Sequence, residues 1–123
     1  MTLRTGLLAL IATTAMTSAA TAECRIMAFT FYVSQNDSVS TTGVSTNGST
    51  CVTRLGAGGR VSLASAIVTA RPRDGTLTEV GTMRVRYKPN KGFKGADSYT
   101  IRVCGRSGGG TGCSTITHNI TVQ

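Results

Sequence analysis

The residues of this chain able to do chemistry are few: one histidine, five carboxylates, four cysteines and thirteen lysines or arginines in 123 residues. Nucleophilic catalysis needs a Ser or Cys beside a base, with a third group orienting that base. The base would be His118, the only histidine. It stands in line with Ile116, Ile120 and Val122 on a segment that alternates apolar and polar residues, so it reads as a buried side chain. No carboxylate lies near it in sequence. Neither G-x-S-x-G nor H-E-x-x-H occurs. Gly108-Gly109-Gly110 lacks the Lys-Ser/Thr of a phosphate loop and reads as a hairpin tip. The sequence therefore points to a protein that is not an enzyme and holds no cofactor.

Metal sites fare no better. The cysteines at 24, 51, 104 and 113 form no C-x-x-C pair, which argues against zinc. Calcium takes six to eight oxygen ligands, whereas Glu23, Asp37, Asp74, Glu79 and Asp97 are scattered. No metal is expected. Four cysteines in a short exported chain read instead as two disulfides, with three pairings open. Cys104 and Cys113 both fall on the polar faces of two strands joined by the Gly-rich segment 105–112. That favours Cys104–Cys113 and, by elimination, Cys24–Cys51.

The cations carry more information. The balance of 13 Lys+Arg against 5 Asp+Glu gives a formal charge of +8. Arg84, Arg86 and Lys88 share the face opposite Met83, Val85 and Tyr87. Arg102 lies on the outward face of a later strand. Lys91 and Lys94 flank the turn holding Phe93, and Arg71 and Arg73 flank Pro72. A surface combining Arg84, Arg86, Lys88 and Arg102 would attract polyanions such as lipopolysaccharide or anionic wall polymers. The competing reading is a solvated strand face that keeps the domain soluble and blunts a sheet edge. Nucleic acid is not an expected partner, because base stacking needs exposed aromatics among the cations and the strand aromatics fall on apolar faces.

The elements that position these groups begin after a targeting segment. Residues 1–22 carry Arg4, an apolar run over 6–16 and a small-x-small site at Ala20-Thr21-Ala22, the pattern of a signal peptide. That run is far shorter than the roughly 20 residues of a membrane span. Removing 22 of 123 residues leaves 101, and with Arg4 gone the charge falls from +8 to +7. Glu23 before Cys24 is not the small residue of a lipid-anchor site, so Cys24 reads as an ordinary cysteine. The expected location is periplasmic or extracellular, with no transmembrane segment left after cleavage.

Residues 23–123 form a single expected domain. Met27, Phe29, Phe31 and Val33 suggest a strand over 25–33 with period two. The Ser/Thr-rich stretch 34–50 is too long for a structureless loop and should contain some strand. Further strands are expected at 51–55, 61–63, 66–70, 76–80, 83–88, 98–104 and 114–122, with turns at 56–59, 72–75 and 89–92. No 3.6-residue periodicity persists. Short strands rich in Val, Ile and Thr, separated by Gly/Pro turns, argue for an all-β antiparallel sandwich.

The run Pro72, Gly75-Thr76-Leu77, Gly81, Tyr87-Lys88-Pro89-Asn90, Gly92-Phe93, Gly95, Asp97-Ser98-Tyr99-Thr100 and Ile120-Thr121-Val122 resembles bacterial cadherin-like/Ig-like repeats. The resemblance covers a little over half of the chain beyond residue 22. It implies an Ig-like/cadherin-like β-sandwich of about seven strands, in which Asp97 fixes a turn through backbone N–H groups. The leading expected function is a non-catalytic binding or structural module of the cell envelope or extracellular space. An anionic envelope polymer on the basic face is the leading expected partner. The alternative is a protein–protein module, an accessory subunit or inhibitor, acting through 34–50 and 105–112 on an extracellular protein.

Overall fold

The computed structural model describes residues 11–16, 22–56, 61–80 and 83–123. Most of the targeting segment and of the 56–59 turn, with Gly81, lies outside the described residues. Residues 11–16 form neither helix nor strand, and Ile11 and Met16 are exposed.

Eight strands follow: β1 (Glu23–Ile26), β2 (Ser38–Thr46), β3 (Cys51–Arg54), β4 (Val61–Ala70), β5 (Gly75–Glu79), β6 (Arg84–Pro89), β7 (Gly95–Ser107) and β8 (Gly110–Val122). They build a five-stranded sheet in the order β1-β2-β8-β7-β4 and a three-stranded sheet in the order β3-β6-β5. The described residues hold eight strands where about seven were expected. Pairing is antiparallel except for β2 and β8, which run parallel from Ser38 opposite Thr115 to Ser45 opposite Val122.

Two-residue periodicity decides which side chains enter the core. Tyr99, Ile101 and Val103 of β7 and Ile116, His118, Ile120 and Val122 of β8 point inward from the larger sheet. Cys51, Leu77, Val85 and Tyr87 meet them from the smaller one. Full burial of each such aliphatic side chain contributes roughly 1.5–3 kcal/mol. An aromatic series runs through this core. Tyr87 stacks on Tyr99 at 5.8 Å between ring centroids, Tyr99 on His118 at 4.8 Å, and Phe29 meets His118 edge-on at 5.3 Å.

The strand expected over 25–33 and the Gly-rich loop expected over 105–112 are corrected here, whereas the strand expected within 34–50 is present. The strand expected over 25–33 ends at Ile26, where Cys24 and Ile26 are the half-buried positions and Met27 is exposed. The chain then leaves the sheet, Phe31 and Val33 entering the core from a connection that closes in a 3-10 turn at Val33–Gln35. The stretch 34–50 is largely β2, a strand flanked on both sides. Its inward positions are small and polar. Thr41 donates to the Met27 carbonyl at 2.9 Å and Ser45 to the Ser49 carbonyl at 2.6 Å, which lets both hydroxyls be buried without losing hydrogen bonds. The 105–112 segment is mostly strand as well. Only Gly108 and Gly109, both at positive φ (55° and 82°), form the turn, as a two-residue hairpin connection requires.

The structure joins Cys24 to Cys51 and Cys104 to Cys113. The first links β1 to β3 and so ties the two sheets at one edge. The second is a cross-strand bridge on the outer face of the β7–β8 hairpin, where the two residues are register partners. Asp97 pins the opposite part of the fold. Its carboxylate accepts from the N–H groups of Arg73, Asp74 and Ser98 at 2.9–3.1 Å and from the Tyr87 hydroxyl at 2.8 Å. One side chain thereby fixes the β4–β5 turn and holds the two sheets together. Burial, and then the bond to Asp97, hold the Tyr87 phenol far above its ordinary pKa.

Candidate functional site

Strand β6 is the centre of the smaller sheet, and its residues alternate strictly. Val85, Tyr87 and Pro89 are buried while Arg84, Arg86 and Lys88 are exposed. The apolar residues fix the strand's orientation, and the cations are thereby forced outward in a row. Successive members are separated by two residues, about 6.6 Å along the strand.

The flanking strands extend this row. Arg54 of β3 stands directly opposite Arg84, while Val52 of β3 and Thr78 of β5 flank Arg86 and Thr76 of β5 flanks Lys88. Like charges directly opposite on a sheet face repel and destabilise it. Among the described residues the only ion pair joins Arg25 to Glu23, elsewhere in the fold. Arg54, Arg84, Arg86 and Lys88 thus form an exposed cationic face with no internal counter-ion among those residues. The face can attract anions over several ångströms and hold them by charge-assisted hydrogen bonds, most tightly from the planar Arg forks.

The structure places the expected site residues unevenly. Arg84, Arg86 and Lys88 share one surface. Arg102 does not join them. It projects from β7 in the five-stranded sheet, opposite Ile67 and Thr115, on the other broad side of the sandwich. Alternation correctly turns Arg102 outward but does not say from which sheet. Arg54 is the member that sequence reasoning missed. Its signal was present, because Cys51, Thr53 and Leu55 are all buried and leave Arg54 facing out.

The cationic face continues past the end of β6. A hollow of 450 Å³ opens there, lined by Lys88, Lys91 and Lys94 around Pro89 and Phe93, with Gln123 on its rim. No Asp or Glu of the described residues lines it.

The interior offers no comparable site. His118 is fully buried, and neither ring nitrogen has a hydrogen-bond partner in the structure. Burial lowers its pKa to about 4. No acidic residue touches it, and its packing neighbours include the rings of Tyr99 and Phe29. Among the described residues no three His, Cys, Asp or Glu side chains converge to hold a metal ion. No helix of the described residues is long and apolar enough to cross a membrane.

No curated protein matches the chain. Residues 11–121 match a family model described as a bacterial Ig domain, a family whose members suggest a non-catalytic binding or structural module. Two disulfides and this family fit an exported protein. With eight strands in two facing sheets and a match spanning most of its length, the chain belongs to the bacterial Ig domain family.

Proposed function

We propose that this domain is an exported, non-catalytic module that binds anionic polymers of the cell envelope through the outer face of its three-stranded sheet. The observation that carries the reading is the set of four exposed cations, Arg54, Arg84, Arg86 and Lys88, gathered on two adjacent short strands without an acidic neighbour in ion-pair contact among the described residues. A face meant only for solubility would gain from interspersed charges of both signs. This one concentrates a single sign and accepts the repulsion between Arg54 and Arg84.

Binding would rest on long-range attraction followed by Arg hydrogen bonds to phosphate or carboxylate groups. It should weaken as salt shortens the screening length to about 8 Å at physiological ionic strength and about 3 Å at 1 M. The test is binding of the oxidised protein to isolated envelope fractions across a salt series, with Arg84→Glu/Arg86→Glu/Lys88→Glu as the control. Binding that falls with salt and vanishes in the triple variant supports the reading. Equal binding by both proteins would reject it.

A further inference from the structure

We infer that the hollow beyond β6 is a discrete subsite for a phosphate group carried on a small uncharged body such as a sugar or glycerol, an inference that rests on the anion-binding reading of the adjoining sheet face. Three features lead there. The first is charge. Lys88, Lys91 and Lys94 line one cavity with no carboxylate side chain among its described lining residues. Lysine ammonium groups, compact and rotatable, suit a phosphate as point charges.

The second feature is size. A volume of 450 Å³ lies within the roughly 300–1,000 Å³ of small-molecule sites. A bare phosphate would leave most of it to water. Phe93, half-buried, and Pro89 supply an apolar surface that a phosphate cannot use and a ring or carbon chain can.

The third feature is a fixed frame. The turn carrying Lys91 and Lys94 is closed by Phe93 N–H donating to the Asn90 carbonyl at 3.0 Å. It is anchored by Asn90 N–H donating to the Asp74 carbonyl at 2.8 Å. Gly92 sits at φ 81°, with open space where a Cβ would project. On the other side Asn47 N–H donates to the Gln123 carbonyl at 3.1 Å, which ties the β2–β3 turn to the end of β8. The cations are therefore presented by tethered backbone. Lys88 belongs to both the cavity and the row of cations on β6, so a polymer lying on the sheet face would deliver a phosphate-bearing unit into the hollow.

The test is a titration of the ¹⁵N-labelled, oxidised protein with glucose 6-phosphate, glucose and inorganic phosphate, read by amide chemical shifts. Glucose 6-phosphate should give saturable shifts confined to residues 47–48 and 88–94, more tightly than inorganic phosphate, while glucose gives none. Lys91→Gln/Lys94→Gln should weaken this binding at least about tenfold, the loss of one charge-assisted hydrogen bond or more. Arg84→Gln/Arg86→Gln should change it less than about twofold, because neither residue lines the cavity. That contrast separates failure of the subsite from failure of the sheet face. Equal shifts with glucose would overturn the inference, as would inorganic phosphate binding as tightly as the ester. So would shifts centred on Arg84 and Arg86, or no saturation below about 10 mM. A second arm separates the sources of the group. Vesicles of phosphatidylglycerol that compete with glucose 6-phosphate, and lose that competition in Lys91→Gln/Lys94→Gln, assign it to a lipid headgroup. A soluble ester that binds without such competition excludes the lipid headgroup and leaves a phosphate-bearing unit of the polymer on the sheet face as its source.

Discussion

Replacing His118 with phenylalanine should remove most of the acid sensitivity of this fold between pH 7.5 and 5. His118 is fully buried between Tyr99 and Phe29, and burial holds its pKa at about 4 against an ordinary value of 6.5. Folding lowers the pKa, so as pH falls the unfolded chain takes up the proton first. The stability tied to the neutral ring is fully present above pH 6.5 and is lost as pH falls towards 4. A shift from 6.5 to about 4 gives a loss of about 2 kcal/mol between pH 7.5 and 5, and about 3 kcal/mol once both states are protonated. The window is clean because the chain has a single histidine and carboxylates stay largely ionised above pH 5. Phenylalanine keeps a ring in the aromatic series and cannot titrate. The assay is urea denaturation of both oxidised proteins at several pH values across the window, with the midpoint converted to free energy through a common slope. The wild type should lose about 2 kcal/mol while the variant stays nearly level. Parallel profiles in the two proteins would refute the reasoning, since the acid sensitivity would then arise elsewhere.

Tyr87→Phe should cost about 2 kcal/mol by removing a charge-assisted bond to Asp97, and Asp97→Ala should cost more because the buried Tyr87 hydroxyl and three backbone N–H groups lose their acceptor; denaturation midpoints at neutral pH decide the order. Chain-entropy arguments give about 3.5 kcal/mol for the Cys24–Cys51 bridge, with a sequence separation of 27, and about 2.6 kcal/mol for Cys104–Cys113, with 9. Paired Cys→Ala variants should lose stability in that order, read by thermal melts. Gly112→Ala should destabilise by about 2 kcal/mol or more, because the new methyl would collide with the Val33 carbonyl that docks against β8. Gly48→Ala meets no neighbour and should cost only the strain of a positive φ, about 1 kcal/mol, which the same melts would register.

The sequence made β6 to β8 readable because their inward positions are large and apolar while their outward positions are charged or hydroxylic. Period two is then unambiguous, and Arg84, Arg86 and Lys88 could be placed on one face from the residues alone. β2 was harder to read because Thr41, Gly43 and Ser45 fill its buried positions, and the Thr41 and Ser45 hydroxyls are satisfied by backbone carbonyls that no local pattern announces. The strand expected at 25–33 failed for the opposite reason. Met27, Phe29, Phe31 and Val33 alternate, but the chain turns away from the sheet after Ile26, and Phe31 and Val33 are buried from a connection instead. The site was legible to the same depth. Orientation of each cation followed from its neighbours, while the separation of Arg102 from the others and the approach of Arg54 to Arg84 depend on strand pairing across the chain, which alternation does not encode.

The parallel pairing of β2 with β8 also has a kinetic meaning. β8 lies in the middle of the larger sheet, between β2 and β7, so that β1 and β2 have no further strand of that sheet to join until β8 is present. Contacts between residues more than seventy positions apart must form before the sheet is complete, and folds dominated by such distant pairings cross their barrier in milliseconds to seconds. Growth of the chain in sequence order would leave both edges of that gap unpaired until β8 is made. Native structure then arrives late and all at once, and a chain cut short anywhere in β8 should lose the sheet as a whole, with the damage reaching well beyond its frayed tip.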